Sequence, residues 1–133
     1  MQCTSIHGRW RAESHELLAM RTTLRGWLTD LGIDGDAEHT LVTAANEAAT
    51  NAVEHAYRSP LTSVDGQTFE VALEAHPGLL CLEISDRGMW RGPSVVAEGR
   101  GLGIPLMHQL VGSVTIDTDD GGTRVVLRHR LAR

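Results

Sequence analysis

Two strand-length segments joined by a very short turn constrain the fold of this chain more than any other feature. Apolar residues alternate with more polar ones over residues 68–75, and this period of two is typical of a strand with one buried face. The sequence His-Pro-Gly at 76–78 favours a turn, and a second apolar run follows at 79–85. Because so short a connection joins only antiparallel strands, the two segments predict a hairpin.

Two helices are predicted on the N-terminal side of this hairpin, after a first strand at residues 3–10. The first helix runs from Ser14, which can cap its N-terminus, to Gly32, with apolar residues at helical spacing. Asp36 can cap a second helix that continues to about Tyr57, where the sequence Arg-Ser-Pro ends it.

A glycine-rich segment follows the hairpin. Residues 86–103 contain six glycines or prolines and predict a long loop, which in a compact domain is usually functional or disordered. Pro105 suits the first turn of a helix that continues through Val111. Residues 114–117 and 123–130 then predict a closing hairpin.

The order and length of these elements predict a single domain. A chain of 133 residues can build one sizeable core but not two. Consecutive hairpins indicate a mixed, mostly antiparallel sheet, and about three helices must cover one of its faces. We therefore expect an α+β two-layer sandwich formed by residues 1–133.

The charged residues exclude several kinds of chemistry. All 12 basic side chains are arginine, and the absence of lysine removes Schiff-base chemistry, the lysine-dependent phosphate-binding loop and the strand lysine of protein kinases. The 17 acidic residues give a net charge of −5, which disfavours a nucleic-acid-binding role.

The sequence also predicts a cytoplasmic protein. Cys3 and Cys81 are not spaced as a metal-binding pair and fit a reducing compartment. No apolar stretch is long enough to span a membrane, and the N-terminus lacks the pattern of a signal peptide.

Three polar side chains form a stripe on the second predicted helix, which is rich in alanine. Glu47, Asn51 and His55 recur every four residues and so lie on one side. One interpretation is a solvated face. The other is a ligand-facing site, where the amide oxygen of Asn51 binds Mg²⁺ and the carboxylate of Glu47 accepts a proton from an attacking hydroxyl.

Asp86 and Gly88 lie where the second strand of the first hairpin ends. A carboxylate in this place can accept a hydrogen bond from the exocyclic amine of adenine, and Gly88 lets the backbone approach a flat ring. Taken alone, these residues are more typical of an ordinary turn at a strand end.

A second glycine-rich loop, Gly-Arg-Gly-Leu-Gly at 99–103, leads into the helix predicted at Pro105. Backbone amides at a helix N-terminus favour phosphate, and a flexible loop is the alternative. A dinucleotide-binding fingerprint does not fit, because its last glycine would fall at Ile104 and no strand directly precedes the loop. The pair Gly122-Thr123 by itself indicates only a hairpin turn.

Together, the order and spacing of these motifs resemble the nucleotide site of the GHKL ATPases, a superfamily that includes gyrase, heat-shock chaperone, histidine kinase and mismatch-repair ATPase domains. The run Asn-Ala-x-x-His-Ala-Tyr at 51–57 and the short chain are most similar to the bacterial anti-sigma-factor serine kinases of partner-switching systems. The resemblance covers essentially the whole chain. The matching residues are Glu47, Asn51, His55, Asp86, Gly88, Gly99, Gly101, Leu102, Gly103, Gly122 and Thr123.

The resemblance implies that ATP lies between the second helix, a glycine-rich lid and the sheet. It implies that Asn51 binds Mg²⁺ and that Glu47 is the general base. It also implies that Asp86 binds adenine, assisted by Gly88 and by the hydroxyl of Thr123. His55 would be structural. The phosphate contacts would come from backbone amides of the second glycine-rich loop, and to these we add the charged side chain of Arg100. The residues of this phosphate loop are Gly99, Arg100, Gly101, Leu102 and Gly103.

The first glycine loop departs from the family's pattern. The family commonly has a second glycine two residues after Gly88, whereas this chain has Trp90 there. Tryptophan is large and conformationally restricted, so we expect it to change the mobility of the lid and the affinity for nucleotide. Adenine recognition by Asp86 stays intact. Trp90 could instead cover the pocket or dock a partner.

The function that the resemblance implies is Mg·ATP-dependent phosphorylation of a serine or threonine on an anti-anti-sigma protein, together with binding of a sigma factor. A homodimer is compatible with it. The alternatives are a non-catalytic, nucleotide-responsive module that binds a sigma factor, and the kinase domain of a larger regulator. A detached histidine-kinase domain fits less well, because no dimerisation helix with a phosphoacceptor histidine is present. The retention of Glu47 favours an active kinase.

Overall fold

In the part of the chain that the structure describes, a five-stranded sheet forms one layer and two α-helices form the other. The structure is a computed structural model that describes residues 4–56, 67–87, 113–119 and 122–130. It confirms the predicted α+β two-layer sandwich; the helix predicted from Pro105 lies outside the described residues. The elements are β1 (Thr4–Arg11), α1 (Glu16–Asp30), α2 (Gly35–Asn51), a π-helical turn (Ala52–Ala56), β2 (Thr68–His76), β3 (Leu79–Asp86), β4 (Ser113–Asp119) and β5 (Gly122–Arg130).

Every strand pair in the described sheet is antiparallel, and the strands lie in the order β1-β2-β3-β5-β4. Both predicted hairpins are present, as β2–β3 and β4–β5. The pairing of β3 with β5 joins the two hairpins, and in this register Asp86 at the end of β3 is opposite Thr123 at the start of β5. Two segments that are distant in sequence therefore meet at one end of the sheet.

The core lies between the sheet and the two helices. Alternate side chains of the three middle strands point to this side, as the period-two pattern predicts. Small alanine side chains on α2 allow the helix axis to come close to the strands. The larger fully buried side chains are Met20, Leu24, Leu28, Leu41, Phe69, Val71, Leu73, Leu80, Leu82 and Leu127.

The helix starts differ from the predictions by one or two residues. Ser14 is not the N-cap, because α1 begins at Glu16 after His15, and the Ser14 carbonyl instead accepts a turn hydrogen bond from the Leu17 amide. The N-cap of α2 is Asp34, which is extended, so Asp36 lies inside the first turn. A carboxylate in the first turn still interacts favourably with the helix dipole. In the described ranges, no helix has the length and hydropathy needed to cross a membrane.

The end of α2 is not a regular α-helix. The α-helical hydrogen bonding ends at Asn51, and a π-helical turn continues to Ala56. Just before it, the Thr50 hydroxyl donates a 2.6 Å hydrogen bond to the Asn46 carbonyl, a contact that tends to bend helices. π-Turns inside helices occur frequently at functional sites, and this one directly follows a candidate site residue.

Candidate functional site

The polar stripe of α2 is not a simple solvated face. Glu47 and Asn51 are both in the regular part of the helix, one turn apart. Their side chains therefore lie on the same side of the helix, as predicted. Glu47 is half-buried, whereas Asn51 is only 5% exposed. His55 falls in the π-helical turn, and its side chain is outside the described part of the structure. The burial of Asn51 rules out the solvated interpretation for that residue.

Asp86 and Thr123 come together at one end of the sheet. Asp86 is half-buried at the end of β3, and Thr123, directly opposite on β5, is 4% exposed on the core side. The family resemblance implies adenine recognition for both residues, but the sequence does not show that they lie side by side. Their pairing in register puts a carboxylate and a hydroxyl at the same strand end.

Gly122 makes this close approach possible. Its backbone is in a conformation with φ of +135°, which side chains rarely adopt. A Cβ atom built there would lie 2.6 Å from the Cα atom of Arg87 and would overlap the backbone of Asp86. The sequence analysis gave Gly122 no role of its own, although its place beside Thr123 in the motif was a signal. Only glycine lets β5 begin directly against the end of β3.

Within the described residues of this region, two buried polar atoms have no hydrogen-bond partner. They are the amide nitrogen Nδ2 of Asn51 and the hydroxyl oxygen of Thr123. Both residues are on elements that face each other, since α2 packs against β3 and β5. A buried polar group without a partner costs about 1–3 kcal/mol, and in native proteins each such group calls for an explanation. A bound polar ligand would give such a group a partner.

This donor set fits a nucleotide with its magnesium ion. A hydroxyl can bond to a nucleobase, and an amide nitrogen can donate to a phosphate oxygen while its oxygen binds a metal. Among the described residues, no three histidine, cysteine, aspartate or glutamate side chains come together as a metal site. Mg²⁺ often uses one or two protein ligands and completes its shell with waters and substrate phosphates. Asn51 is therefore suited to it.

The rest of the predicted site lies outside the described residues. This holds for Gly88 and Trp90 of the first loop and for the whole second loop, so their roles stay predictions. The residues of the second loop are Gly99, Arg100, Gly101, Leu102 and Gly103.

A groove on the opposite face of the sheet is not part of this site. It has a volume of about 400 Å³ and is open to solvent between β2 and β4. Charged side chains such as Glu74, Glu83, Arg124 and Arg128 line it. It is separated from Asn51 and the helices by the full thickness of the sheet.

Comparisons with known proteins identify the family of the chain. The model of the histidine kinase-like ATPase domain family matches residues 10–129. A serine-protein kinase RsbW of Bacillus licheniformis is 36% identical over 117 residues, which cover 78% of this chain and 72% of the relative. A second RsbW, from a named strain of that species, is 35% identical over 118 residues, with the same coverage.

A solved structure gives the same result for the fold. The structure of the RsbU and RsbW domains of Rv1364c from Mycobacterium tuberculosis superposes with a TM-score of 0.76 at 30% identity. The match covers 98% of this chain and 32% of that longer one. The chain therefore belongs to the histidine kinase-like ATPase family and, within it, to the RsbW type of serine-protein kinase.

Proposed function

We propose that the protein is a Mg·ATP-dependent serine/threonine kinase that phosphorylates an anti-anti-sigma protein and also binds a sigma factor, in the cytoplasm of a bacterium that uses partner switching. The observation that carries the nucleotide site is the pair of unsatisfied buried polar atoms on Asn51 and Thr123. Both are residues that the family motif assigns to nucleotide contact. ATP between the helix and the sheet would give both atoms a partner.

The adenine end of the site is assigned to the meeting point of β3 and β5. Asp86 accepts a hydrogen bond from the exocyclic amine, and the Thr123 hydroxyl, opposite it in register, bonds to the ring directly or through water. Gly122 keeps the two strand ends close enough for both contacts. Guanine has a carbonyl oxygen where adenine has its amine, so a carboxylate in this place favours ATP over GTP.

The transfer end of the site is assigned to α2. Asn51 would hold Mg²⁺, which when bound neutralises phosphate charge. Glu47, one turn earlier, accepts the proton of the substrate hydroxyl. The substrate oxygen forms a bond to the γ-phosphorus, the bond from that phosphorus to the bridging oxygen breaks, and ADP leaves. A half-buried carboxylate is accessible enough to meet a protein substrate.

A labelling experiment tests this function. The purified protein is incubated with γ-labelled ATP, Mg²⁺ and each anti-anti-sigma protein encoded in its genome, and phosphoserine and phosphothreonine are measured. We expect label on one of them and none when Mg²⁺ is replaced by excess chelator. The same samples are tested for binding of the sigma factors from that genome.

Variants separate the kinase from a binding module. We expect Asn51→Ala to lose Mg²⁺-dependent ATP binding, because the metal site itself is damaged. Asp36→Ala, which removes an exposed side chain at the other end of α2, is the matched control and should bind normally. A wild-type protein that binds ATP and a sigma factor but transfers no label would instead support the nucleotide-responsive module.

A further inference from the structure

A polar contact between the two helices lies beside Glu47. Nη1 of Arg21, in α1, donates a 2.8 Å hydrogen bond to Oδ1 of Asn46, in α2, at a partly buried position. Asn46 directly precedes Glu47 in the sequence. Hydrogen bonds from a charged donor are about twice as strong as neutral ones, so this contact firmly holds one point of α2 against α1.

Near Glu47, the other buried contacts of α2 do little to fix the rotation of the helix about its own axis. The large buried side chains, Leu41 and Val42, are in the first half of the helix. The buried positions around Glu47 are alanines, which are Ala44, Ala45, Ala48 and Ala49. Helices fix their relative rotation when large side chains interlock as ridges and grooves. Methyl groups pack closely but interlock little, so a directional polar contact decides the orientation here.

Asn46 is held at a second atom as well. Its backbone carbonyl accepts a hydrogen bond from the Thr50 hydroxyl, and the π-helical turn begins only two residues after Thr50. The helix therefore departs from regular geometry just beyond this segment. The contact with Arg21 therefore anchors α2 at Asn46, the residue directly before Glu47.

We infer that Arg21 and Asn46 are positioning residues that orient the carboxylate of Glu47 for phosphoryl transfer. The inference rests on the proposed role of Glu47. A displacement of roughly 1 Å in a reacting group can lower a rate by about 100-fold. The adenine contacts are on the sheet, and Asn51 is fixed by its own burial. Loss of the Arg21–Asn46 bond should therefore affect the transfer step and leave ATP affinity unchanged.

The test compares substitutions at Asn46 in the labelling assay, with the anti-anti-sigma protein found there as substrate. We expect Asn46→Ala to lower kcat by about tenfold, part of the range that misplacement of a reacting group produces, while KM for ATP stays within about twofold of wild type. Asn46→Asp, which keeps an acceptor for the guanidinium, should retain most of kcat. Arg25→Ala removes an exposed arginine one turn further along α1 and is the control for loss of charge.

Double variants separate positioning from a general structural effect. If Asn46 acts through Glu47, then Asn46→Ala should cause no further loss of kcat in a Glu47→Ala protein. Arg21→Ala reaches the same contact from the other helix and should give the same split between kcat and KM, with no added loss when combined with Asn46→Ala. It also serves if Asn46→Ala does not fold.

The possible failures are distinguishable. Wild-type kcat in Asn46→Ala, together with a low kcat in Glu47→Ala, overturns the positioning inference alone. A further loss from Asn46→Ala in the Glu47→Ala background also overturns it, because the effect would not pass through Glu47. Wild-type kcat in Glu47→Ala overturns the proposed base first, and the inference with it.

Discussion

Polar side chains on the two faces of the sheet differ in whether they have a partner. On the open face, charged side chains pair across neighbouring strands. Nε and Nη2 of Arg9 both lie within 3.0 Å of Oε1 of Glu70. Nε of Arg124 lies 3.5 Å from Oε1 of Glu83. In each of the two pairs, the partners are on adjacent strands of the sheet. These groups satisfy each other where water could also satisfy them.

On the helix-covered face, the described polar groups that are most buried have no such partner. Asn51 and Thr123 are at most 5% exposed, and each has a buried polar atom without a hydrogen bond. Water reaches them poorly, so the missing partner has a real cost of about 1–3 kcal/mol per group.

The difference shows where function should be sought in such a fold. An exposed ion pair contributes about 0–1 kcal/mol, so pairing on the open face says little about either stability or activity. An unsatisfied buried group lowers stability, and folding alone gives no reason to keep it. The nucleotide proposed above would give one for both groups, and the covered face rather than the open groove is therefore proposed as the site.

The largest expected effect is at Glu47. Glu47→Ala should bind Mg·ATP and the partner almost normally but lose phosphorylation by about 10²- to 10⁴-fold, the usual contribution of a positioned base. A solvated side chain in the same place would give a nearly neutral change. Phosphoserine yield, ATP affinity and partner affinity are measured on the same preparations. Wild-type yield would contradict the base assignment.

The next effect is at Asp86. Asp86→Asn removes the negative charge that strengthens the hydrogen bond from the adenine amine and should weaken ATP binding by about 1.5–3 kcal/mol, roughly 10- to 150-fold. Titration calorimetry measures the affinity, and Asp30→Asn, at the exposed end of α1, is the matched control. Unchanged affinity, or an equal affinity of the wild type for GTP, would show that adenine is recognised elsewhere.

Features of the fold and the site that depend on a short segment can be predicted from the sequence, whereas features that depend on contacts between distant segments cannot. The strands of the two hairpins and both helices arise from periodic patterns within short segments, and the sequence predicts most of their bounds to within about two residues. The exception is the end of α2, which is predicted near Tyr57, whereas the α-helix ends at Asn51. The junction of Asp86 with Thr123 is not predicted, because the pairing of β3 with β5 depends on the whole sheet. The family resemblance supplied both residues, and the structure supplied their proximity.

Two features of the second half of α2 are not predicted. The hydrogen bond from Arg21 to Asn46 joins two helices, and the π-helical turn after Asn51 follows no periodic pattern in the sequence. One signal was available: a second asparagine in mid-helix, at 46, is unfavourable for helix formation. Such a residue invites a search for its partner.

At Thr123 we expect two smaller effects of opposite sign, a gain in stability and a loss of ATP affinity. Thr123→Val keeps the shape of the side chain and the preference for a strand but removes the unsatisfied hydroxyl. Without nucleotide, the free energy of unfolding should therefore rise by about 1 kcal/mol. ATP affinity should fall by about fivefold, since the contact to the base is lost. Denaturant unfolding and calorimetry measure the two quantities.

The next core-facing residue of β5 provides the reverse control. Val125 is 3% exposed, and Val125→Thr buries a hydroxyl where no ligand is proposed. It should destabilise the protein by about 1–3 kcal/mol and leave ATP affinity unchanged. If Thr123→Val is destabilising instead, its hydroxyl has a structural partner and the contrast between the two faces is weaker than described.

The smallest effect is expected on the open face, where Arg9 and Glu70 form the shortest ion pair described. Arg9 is 58% exposed and Glu70 36% exposed, so water replaces most of what each loses when its partner is removed. A double-mutant cycle of Arg9→Ala and Glu70→Ala should give a coupling free energy below about 1 kcal/mol that shrinks further in high salt. Phosphorylation should stay at the wild-type rate in all three variants. A larger coupling would mean that the ion pair contributes more to stability than its exposure predicts. A loss of activity would mean that the open face takes part in the function, and the assignment of all the chemistry to the helix-covered face would then be wrong.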